Sequence, residues 1–348
     1  MSMLRSSASS LPPPFPDALR VAVIQGGPSS EAEVSRVSAA GVAAALARCG
    51  HDVTRLECDR TLPAQLLQGE FQVVFPVVHG AVGEDGSLQG LLELLSLPYV
   101  GAGVLASALA NDKVQAKVCF RGAGLPVADE LVLARDAGTI EAHAAAAVAR
   151  LGRSIVVKPA TQGSALGVTL LPDLAGDDDA RLIEALDRAF SLDAKVLVES
   201  FRVGREVTCG VLHLDEGEVA LPPTEIHPKA AGWYDFQSRY GSGGSEHTCP
   251  AKLDPVTIAR VQEVAVAAHR ALGVRDLSRA DFVVGPGGAE AEVTLLEVNT
   301  MPGFTRTSLF PEAAGVYGVP FDNLCNRLVR QAVARGVRKF GAPQPFPA

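Results

Sequence analysis

The chain has 348 residues, 47% hydrophobic and 20% charged, with 31 basic against 39 acidic side chains and a net charge of −8. That length suits two to three domains with a core in each, which excludes a disordered or coiled-coil chain. The acidic balance excludes whole-surface attraction to nucleic acid or anionic lipid, and no apolar run reaches the roughly 18 residues of a membrane-crossing helix.

Residues 1–17 are rich in Ser and Pro and lack the apolar stretch of a signal peptide, so a disordered tail and a cytoplasmic protein are expected. Val21–Ile24 is a short apolar strand that ends in Gly26-Gly27. A helix follows from Glu31 to about Arg48, with Ser30 and Glu33 spaced as a capping box. Strands at Asp52–Leu56 and Val73–Val78, helices at Leu62–Gln68 and Gly86–Leu95, and a short strand at Tyr99–Val100 complete a parallel α/β unit over 18–111. A second unit, 112–203, holds helices at Lys113–Gly122, Glu141–Leu151 and Asp177–Phe190. Its strands fall at Pro126–Leu133, Ser154–Lys158, Gly167–Leu171 and Val196–Glu199. A third, 204–340, has strands at Arg205–Leu214, Leu277–Val284 and Glu292–Asn299, with helices at Pro255–Leu272 and Phe321–Ala334. Between Lys229 and Thr248 hydrophobic periodicity fails, so 229–248 reads as one long loop. The six cysteines stand apart without a C-x-x-C pair, the pattern of reduced thiols.

Three places carry chemistry. In the last hairpin, Arg279 and Asp281 share one strand face, and Glu297 and Asn299 share another. If the faces coincide, two carboxylates and an amide oxygen suit Mg²⁺; the alternative is a solvated Arg–Asp pair. Lys158 closes a buried apolar strand, a costly place unless it meets an anion or snorkels to solvent. Gly163-Ser164 follows, where backbone N–H groups can approach phosphate, although neither a P-loop nor a dinucleotide fingerprint is present. Glu31 and His79 both follow strands of the first unit, where open α/β sheets bind ligands. Either could instead serve structure alone, Glu31 as a helix-start charge and His79 as a core residue.

Taken in order, these motifs resemble the D-alanine–D-alanine ligases of the ATP-grasp superfamily. The segments are Gly26–Ser35, His79–Gly90, Asp112-Lys113, Val157-Lys158-Pro159 with Gly163-Ser164, the Tyr240 loop, Arg279-Ala-Asp281, Glu297–Thr305 and Ser308-Leu309. The resemblance implies an α/β chain, with an N-terminal parallel, Rossmann-like domain followed by a two-subdomain ATP-grasp fold. It implies that ATP is a substrate, held by Lys113, Lys158, Glu199, Glu206 and Arg239. Two Mg²⁺ ions, with Mn²⁺ as a substitute, would sit on Asp281, Glu297 and Asn299. Glu31, Ser164, Tyr240 and Arg279 would be catalytic. His79, Gly303, Ser308 and Leu309 would meet D-alanine. The segment 229–248 would be a lid, and the family suggests a homodimer.

The implied activity is ligation of two D-alanines through an acyl phosphate, for peptidoglycan precursor synthesis. A related ligase with another acceptor (D-serine, D-lactate or an amino acid of secondary metabolism) is the alternative. Three positions depart from many members: Ala165 where a second serine is common, Ser200 near the expected adenine, and Arg239 where lysine is frequent. Tyr240 favours D-alanine, since lactate-using relatives tend to carry histidine in that loop.

Overall fold

A computed structural model describes residues 18–176, 178–228 and 245–337. The expected tail at 1–17, Asp177, and most of the expected lid, with Arg239 and Tyr240, lie outside the described residues. In β1 (Arg20–Gln25), Val21, Ala22, Val23 and Ile24 are all buried, as a parallel strand covered on both faces requires. It pairs in parallel with β2 (Asp52–Glu57) on one side and β3 (Val73–Pro76) on the other. Helices α1 (Ala32–Arg48), α2 (Leu62–Gln68) and α3 (Ser87–Leu94) link and follow these strands. The strand expected at Tyr99–Val100 is reduced to a single bridge between Tyr99 and Val74.

The start of α1 corrects the sequence reading. No side chain caps it, and Glu31 occupies the cap position. Ser29 rather than Ser30 does the local bonding. Its hydroxyl donates to the His79 carbonyl at 2.7 Å and accepts the Glu31 N–H at 3.3 Å. Glu33 is taken by Arg36, one turn along the helix, which removes it from any capping box. A helix the sequence reading missed, α4 (Val104–Asn111), leads into α5 (Lys113–Gly122). Asp112 caps α5 by accepting from the N–H groups of Val114 and Gln115 at 3.0 and 3.2 Å.

The central sheet is antiparallel. Its members are β4 (Glu130–Ala134), β5 (Ile155–Pro159), β6 (Thr169–Leu171) and β7 (Lys195–Ser200), in the order β4-β7-β5-β6. Side chains of α6 (Ile140–Leu151) and α7 (Asp179–Leu192) share its core. The strand expected from Pro126 begins only at Glu130. Pro126 and Val127 instead join the last sheet, where Leu295 donates to the Pro126 carbonyl at 2.8 Å.

The last sheet contains β8 (Arg205–Leu214), β9 (Gly217–Ala220), β10 (Thr224–Pro228), β11 (Ser245–Thr248), β12 (Leu277–Val284) and β13 (Val293–Asn299). Its order is β11-β10-β8-β12-β13, with β9 also on β8. β11 corrects the expectation of a loop running to Thr248, because it pairs antiparallel with β10. Behind the sheet lies α8 (Pro255–Ala271). The chain then forms α9 (Leu309–Tyr317), also missed in the sequence, and α10 (Phe321–Arg335).

One core joins the two ends of the chain. Val21, Val23, Val42 and Phe75 pack with Phe304, Phe310, Leu324 and Leu328. Arg48 and Asp322 pair at 2.6 Å above it. Asp276 accepts the Gly101 N–H at 2.8 Å, and Arg335 donates to the Tyr99 carbonyl at 2.6 Å, which ties the first unit to the last sheet and helix. Among the described residues, no helix is long and apolar enough to cross a membrane.

Candidate active site

The hairpin of β12 and β13 sets Arg279 opposite Asn299 and Asp281 opposite Glu297, while Ala280, Phe282 and Val298 enter the core. The two polar faces therefore coincide. Arg279 grips both Asp281 oxygens, with Nε and Nη2 each at 2.8 Å, the geometry of a strong bidentate pair. Thr208 on β8 donates to Asp281 at 2.8 Å, and the Asn299 amide does so at 3.2 Å. Across the gap, the Lys113 ammonium lies 3.4 Å from Glu297 and donates to the Gln162 carbonyl at 2.7 Å.

Lys158 is buried and meets its anion on the neighbouring strand. Its Nζ lies 2.7 Å from Glu199 Oε2. The other Glu199 oxygen takes Lys117, from the buried face of α5, at 2.5 Å. Burial works to raise the Glu199 pKa, but the two ammonium groups outweigh it and hold the carboxyl below its ordinary range.

A cavity of about 270 Å³ lies between the central and last sheets, bordered by Lys113, Lys158, Glu199, Glu206 and Glu297. Val156, Leu170 and Leu296 give it apolar walls, and Ala165 and Ser200 also line it. A smaller pocket of about 40 Å³ shares Lys113, Gln162 and Glu297 with it. Gly80, Glu84, Gly163 and Asn299 bound its far side.

Glu31 is buried beside this pocket and accepts a hydrogen bond from the Ser164 hydroxyl. A Cβ on Gly80 or Gly163 would stand 3.2 or 3.4 Å from Glu31 Oε2, so both glycines let backbone approach this carboxylate. Ser164 and Ala165 hold φ of 51° and 58°, in the left-handed region. Each such residue costs roughly 1–2 kcal/mol, strain concentrated in the loop that faces both cavities.

His79 is buried, and burial pushes its pKa down, against the nearby Glu31 charge and a bond to the Met301 backbone. Its Nε2 has no hydrogen-bond partner among the described residues. Glu84 accepts the N–H groups of Gly80, at 2.7 Å, and of Met301. Burial, helped by the Glu31 charge, pushes the Glu84 carboxyl up to about 8. Met301 thus ties the His79 segment to the turn that holds Gly303, Ser308 and Leu309. In that turn Ser308 Oγ accepts the Thr305 N–H at 3.1 Å, and a Cβ on Gly303 would crowd Ser308 Oγ at 3.1 Å.

Of the sequence candidates, Lys113, Lys158, Glu199, Glu206 and Glu297 line the larger cavity, and Lys113, Glu297 and Asn299 the smaller one; Glu31, Ser164, His79, Arg279 and Asp281 line neither, and Arg239 and Tyr240 lie outside the described residues. Sequence reading missed Lys117, Glu84, Thr208 and Gln162. Lys117 follows Lys113 by one helical turn and shares the buried face with Ala116 and Phe120, a signal that a second anion was needed. Thr208 sits opposite Asp281 in the strand register. Gln162 contributes its backbone carbonyl, which side-chain patterns do not reveal.

A parallel α/β unit followed by two antiparallel sheets that enclose a lysine-bearing cavity is the ATP-grasp architecture. Residues 60–102 match the family described as D-ala D-ala ligase N-terminus, and 119–330 match D-ala D-ala ligase C-terminus. The D-alanine–D-alanine ligase of Granulibacter bethesdensis is 43% identical over 91% of this chain and 98% of its own. That of Parvibaculum lavamentivorans is also 43% identical, over 90% and 98%. Among solved structures, the D-alanine-D-alanine ligase from Coxiella burnetii superposes with a TM-score of 0.76 at 27% identity, covering 92% of this chain and 95% of that one. The Bacillus anthracis enzyme complexed with ATP gives 0.75 at 27% identity, over 91% and 98%. The chain belongs to the D-alanine–D-alanine ligase family.

Proposed function

We propose that this protein joins two D-alanines to D-alanyl-D-alanine at the expense of ATP, as a supplier of peptidoglycan precursor. The observation that carries the reading is that the two cavities share Lys113, Gln162 and Glu297 in their walls. It gives a nucleotide-sized cleft and a small acidic pocket one shared wall. The ATP-bound relative from Bacillus anthracis supports ATP as the occupant of the larger cavity.

In the first step, a D-alanine carboxylate oxygen attacks the γ-phosphorus, and ADP leaves with an acyl phosphate formed. Glu31 holds the ammonium of that D-alanine, with His79 beside it. Lys113, Lys158 and Arg239 offset phosphate charge, while Glu199 and Glu206 meet adenine and ribose. In the second step, the amine of the other D-alanine attacks the acyl carbon. Nitrogen loses a proton, phosphate departs, and the peptide bond remains. Arg279 and the Gly303 N–H stabilise the charge that grows on the carbonyl oxygen. Ser308 and Leu309 receive the carboxylate of the acceptor. Ser164 and Tyr240 join Glu31 in closing the lid, which keeps water from the acyl phosphate.

Asp281 and Glu297 face each other across the hairpin, Asn299 bonds Asp281, and Glu297 and Asn299 border the smaller pocket, so the donor set of two carboxylates and an amide oxygen fits Mg²⁺. Mg²⁺ held there, one ion or two, with Mn²⁺ able to substitute, supplies further charge neutralisation to the transferring phosphate. Six free cysteines among the described residues support a cytoplasmic site of action. A homodimer is part of the proposal, and sedimentation measures it directly.

The deciding experiment incubates the protein with ATP, Mg²⁺ and D-alanine and looks for dipeptide and ADP by mass spectrometry. Folded protein that makes neither rejects the reading. Adding D-serine and D-lactate in competition fixes the acceptor, and a product other than D-alanyl-D-alanine would redirect it.

A further inference from the structure

Lys117 is one of the most enclosed charges in the molecule, with its side chain 1% exposed. It does not border the nucleotide cavity, whereas Lys158 does. The two ammonium groups hold opposite oxygens of one carboxylate, Glu199, at 2.5 and 2.7 Å. Lys117 also donates to the Ala128 carbonyl at 3.1 Å. Its second anion is Glu130, whose Oε2 lies 2.7 Å away but off the direction of a hydrogen bond. The other Glu130 oxygen takes Arg121 at 2.5 Å, near the surface. The result is a chain of alternating charge, Arg121–Glu130–Lys117–Glu199–Lys158, which runs from solvent to the cavity.

A buried carboxylate that owned only one cation could not release it without leaving an uncompensated charge. Glu199 owns two, and only one of them faces the ligand. We propose that Lys117 is a positioning residue that keeps Glu199 ionised while Lys158 leaves it for the nucleotide phosphates. The inference rests on the ATP reading above and deepens it. In the structure the Lys158 ammonium sits on Glu199 Oε2. When a triphosphate enters, the ammonium transfers to phosphate oxygen. Oε2 then becomes an acceptor for the adenine amino group, and Lys117 remains as its counter-ion. Glu130 tempers the system by competing for Lys117.

The test compares ATP with adenosine, because only ATP offers phosphate to Lys158. Binding of each is measured by calorimetry on the full chain, with steady-state kinetics alongside. Lys117→Met keeps the length of the side chain and removes the charge, so Lys158 becomes the sole cation on Glu199. ATP affinity is expected to fall about tenfold or more. Adenosine affinity and the KM for D-alanine stay near wild type, so the ATP-to-adenosine ratio collapses. Glu130→Gln works in the opposite direction, since it leaves Lys117 wholly to Glu199, and the ratio should rise. A purely structural Lys117 would lower both affinities together. A folded Lys117→Met with an unchanged ratio overturns the inference. If that variant does not fold, Glu130→Gln decides alone: a raised ratio supports the inference, and an unchanged or lowered one overturns it. Wild-type protein that binds no ATP would instead sink the underlying ligase reading.

Discussion

Glu199 and Glu84 are two carboxyls withdrawn from water on either side of Lys113, and they hold their protons in opposite ways. Burial pushes both upward. Glu199 is clasped by two ammonium groups and ends below its ordinary range. Glu84 accepts the backbone N–H groups of Gly80 and Met301, feels the Glu31 charge more than that of Arg279, and rises to about 8. The depth of a group does not fix its charge, because the nearest full charge decides the sign. The consequence is a division of labour. The cavity that would take the nucleotide is lined by lysine–carboxylate pairs, and the pocket beside Glu31 is bordered by a carboxyl that burial pushes up to about 8.

The largest effect should come from breaking the ionised side. Glu199→Gln removes the carboxylate shared by two buried ammonium groups, leaving Lys117 to Glu130 and Lys158 without its anion, and is expected to cost about 3–5 kcal/mol, read by urea denaturation. A loss under about 1 kcal/mol, the scale of an exposed ion pair, would show that water reaches the cluster freely. In the wild type, the stability that Glu199 supplies is present above the ordinary carboxyl range and is lost as pH falls through its lowered pKa.

Glu84 should show the reverse dependence. Its folded pKa lies above the unfolded value, so its contribution is full below about 4.5 and is lost as pH rises towards about 8. Glu84→Gln keeps an acceptor for the Gly80 and Met301 N–H groups without the titration. Its melting temperature relative to wild type should therefore climb between pH 5 and pH 9. A difference that stays flat with pH would mean that Glu84 is ionised throughout.

A third buried group extends the comparison to a base. His269 Nδ1 lies 2.7 Å from Ser278 Oγ, and burial pushes its pKa down to about 4. The neutral ring then stabilises the fold above about pH 6.5, and that share is lost as pH falls towards 4. His269→Gln should flatten this acid limb of the melting curve. The smallest effect belongs to Ser164→Ala, which removes the hydroxyl that bonds Glu31. It should cost about 0.5–1.5 kcal/mol in denaturation. Alanine also keeps the left-handed strain, so no compensating gain is expected.

Much of this was legible in the residues. The period of two placed Arg279 with Asp281 on one strand face and Glu297 with Asn299 on another, since strand geometry fixes which side chains share a face, and the register of β12 and β13 then joined the two. The rule that a buried lysine needs an anion foretold a partner for Lys158, though not which one. Other features depend on contacts that no local pattern encodes. The expected box of Ser30 and Glu33 failed because Arg36 claimed Glu33 and because Glu31, not Ser30, stands at the cap position; the Ser29 hydroxyl, meanwhile, bonds the His79 carbonyl 50 positions away. α4 and α9 are short helices that are apolar on exposed positions too, Leu105 in one and Val316 and Tyr317 in the other, so their periodicity was weak. β10 hides between prolines, and β11 is only four residues long. Lys117 lies on the buried face of α5, which calls for an anion, but its partner Glu199 is 82 positions away and no local pattern identifies it.

The shared core of β1, β3, α1 and the closing helices has a consequence for biosynthesis. Val21, Val23 and Phe75 emerge from the ribosome early, but Leu324 and Leu328, which cover them, are among the last described residues to be made. Through most of translation the nascent first sheet therefore carries an uncovered apolar face, the kind of surface that chaperones bind and that aggregates. A chain cut short before α10 would be left holding that face permanently.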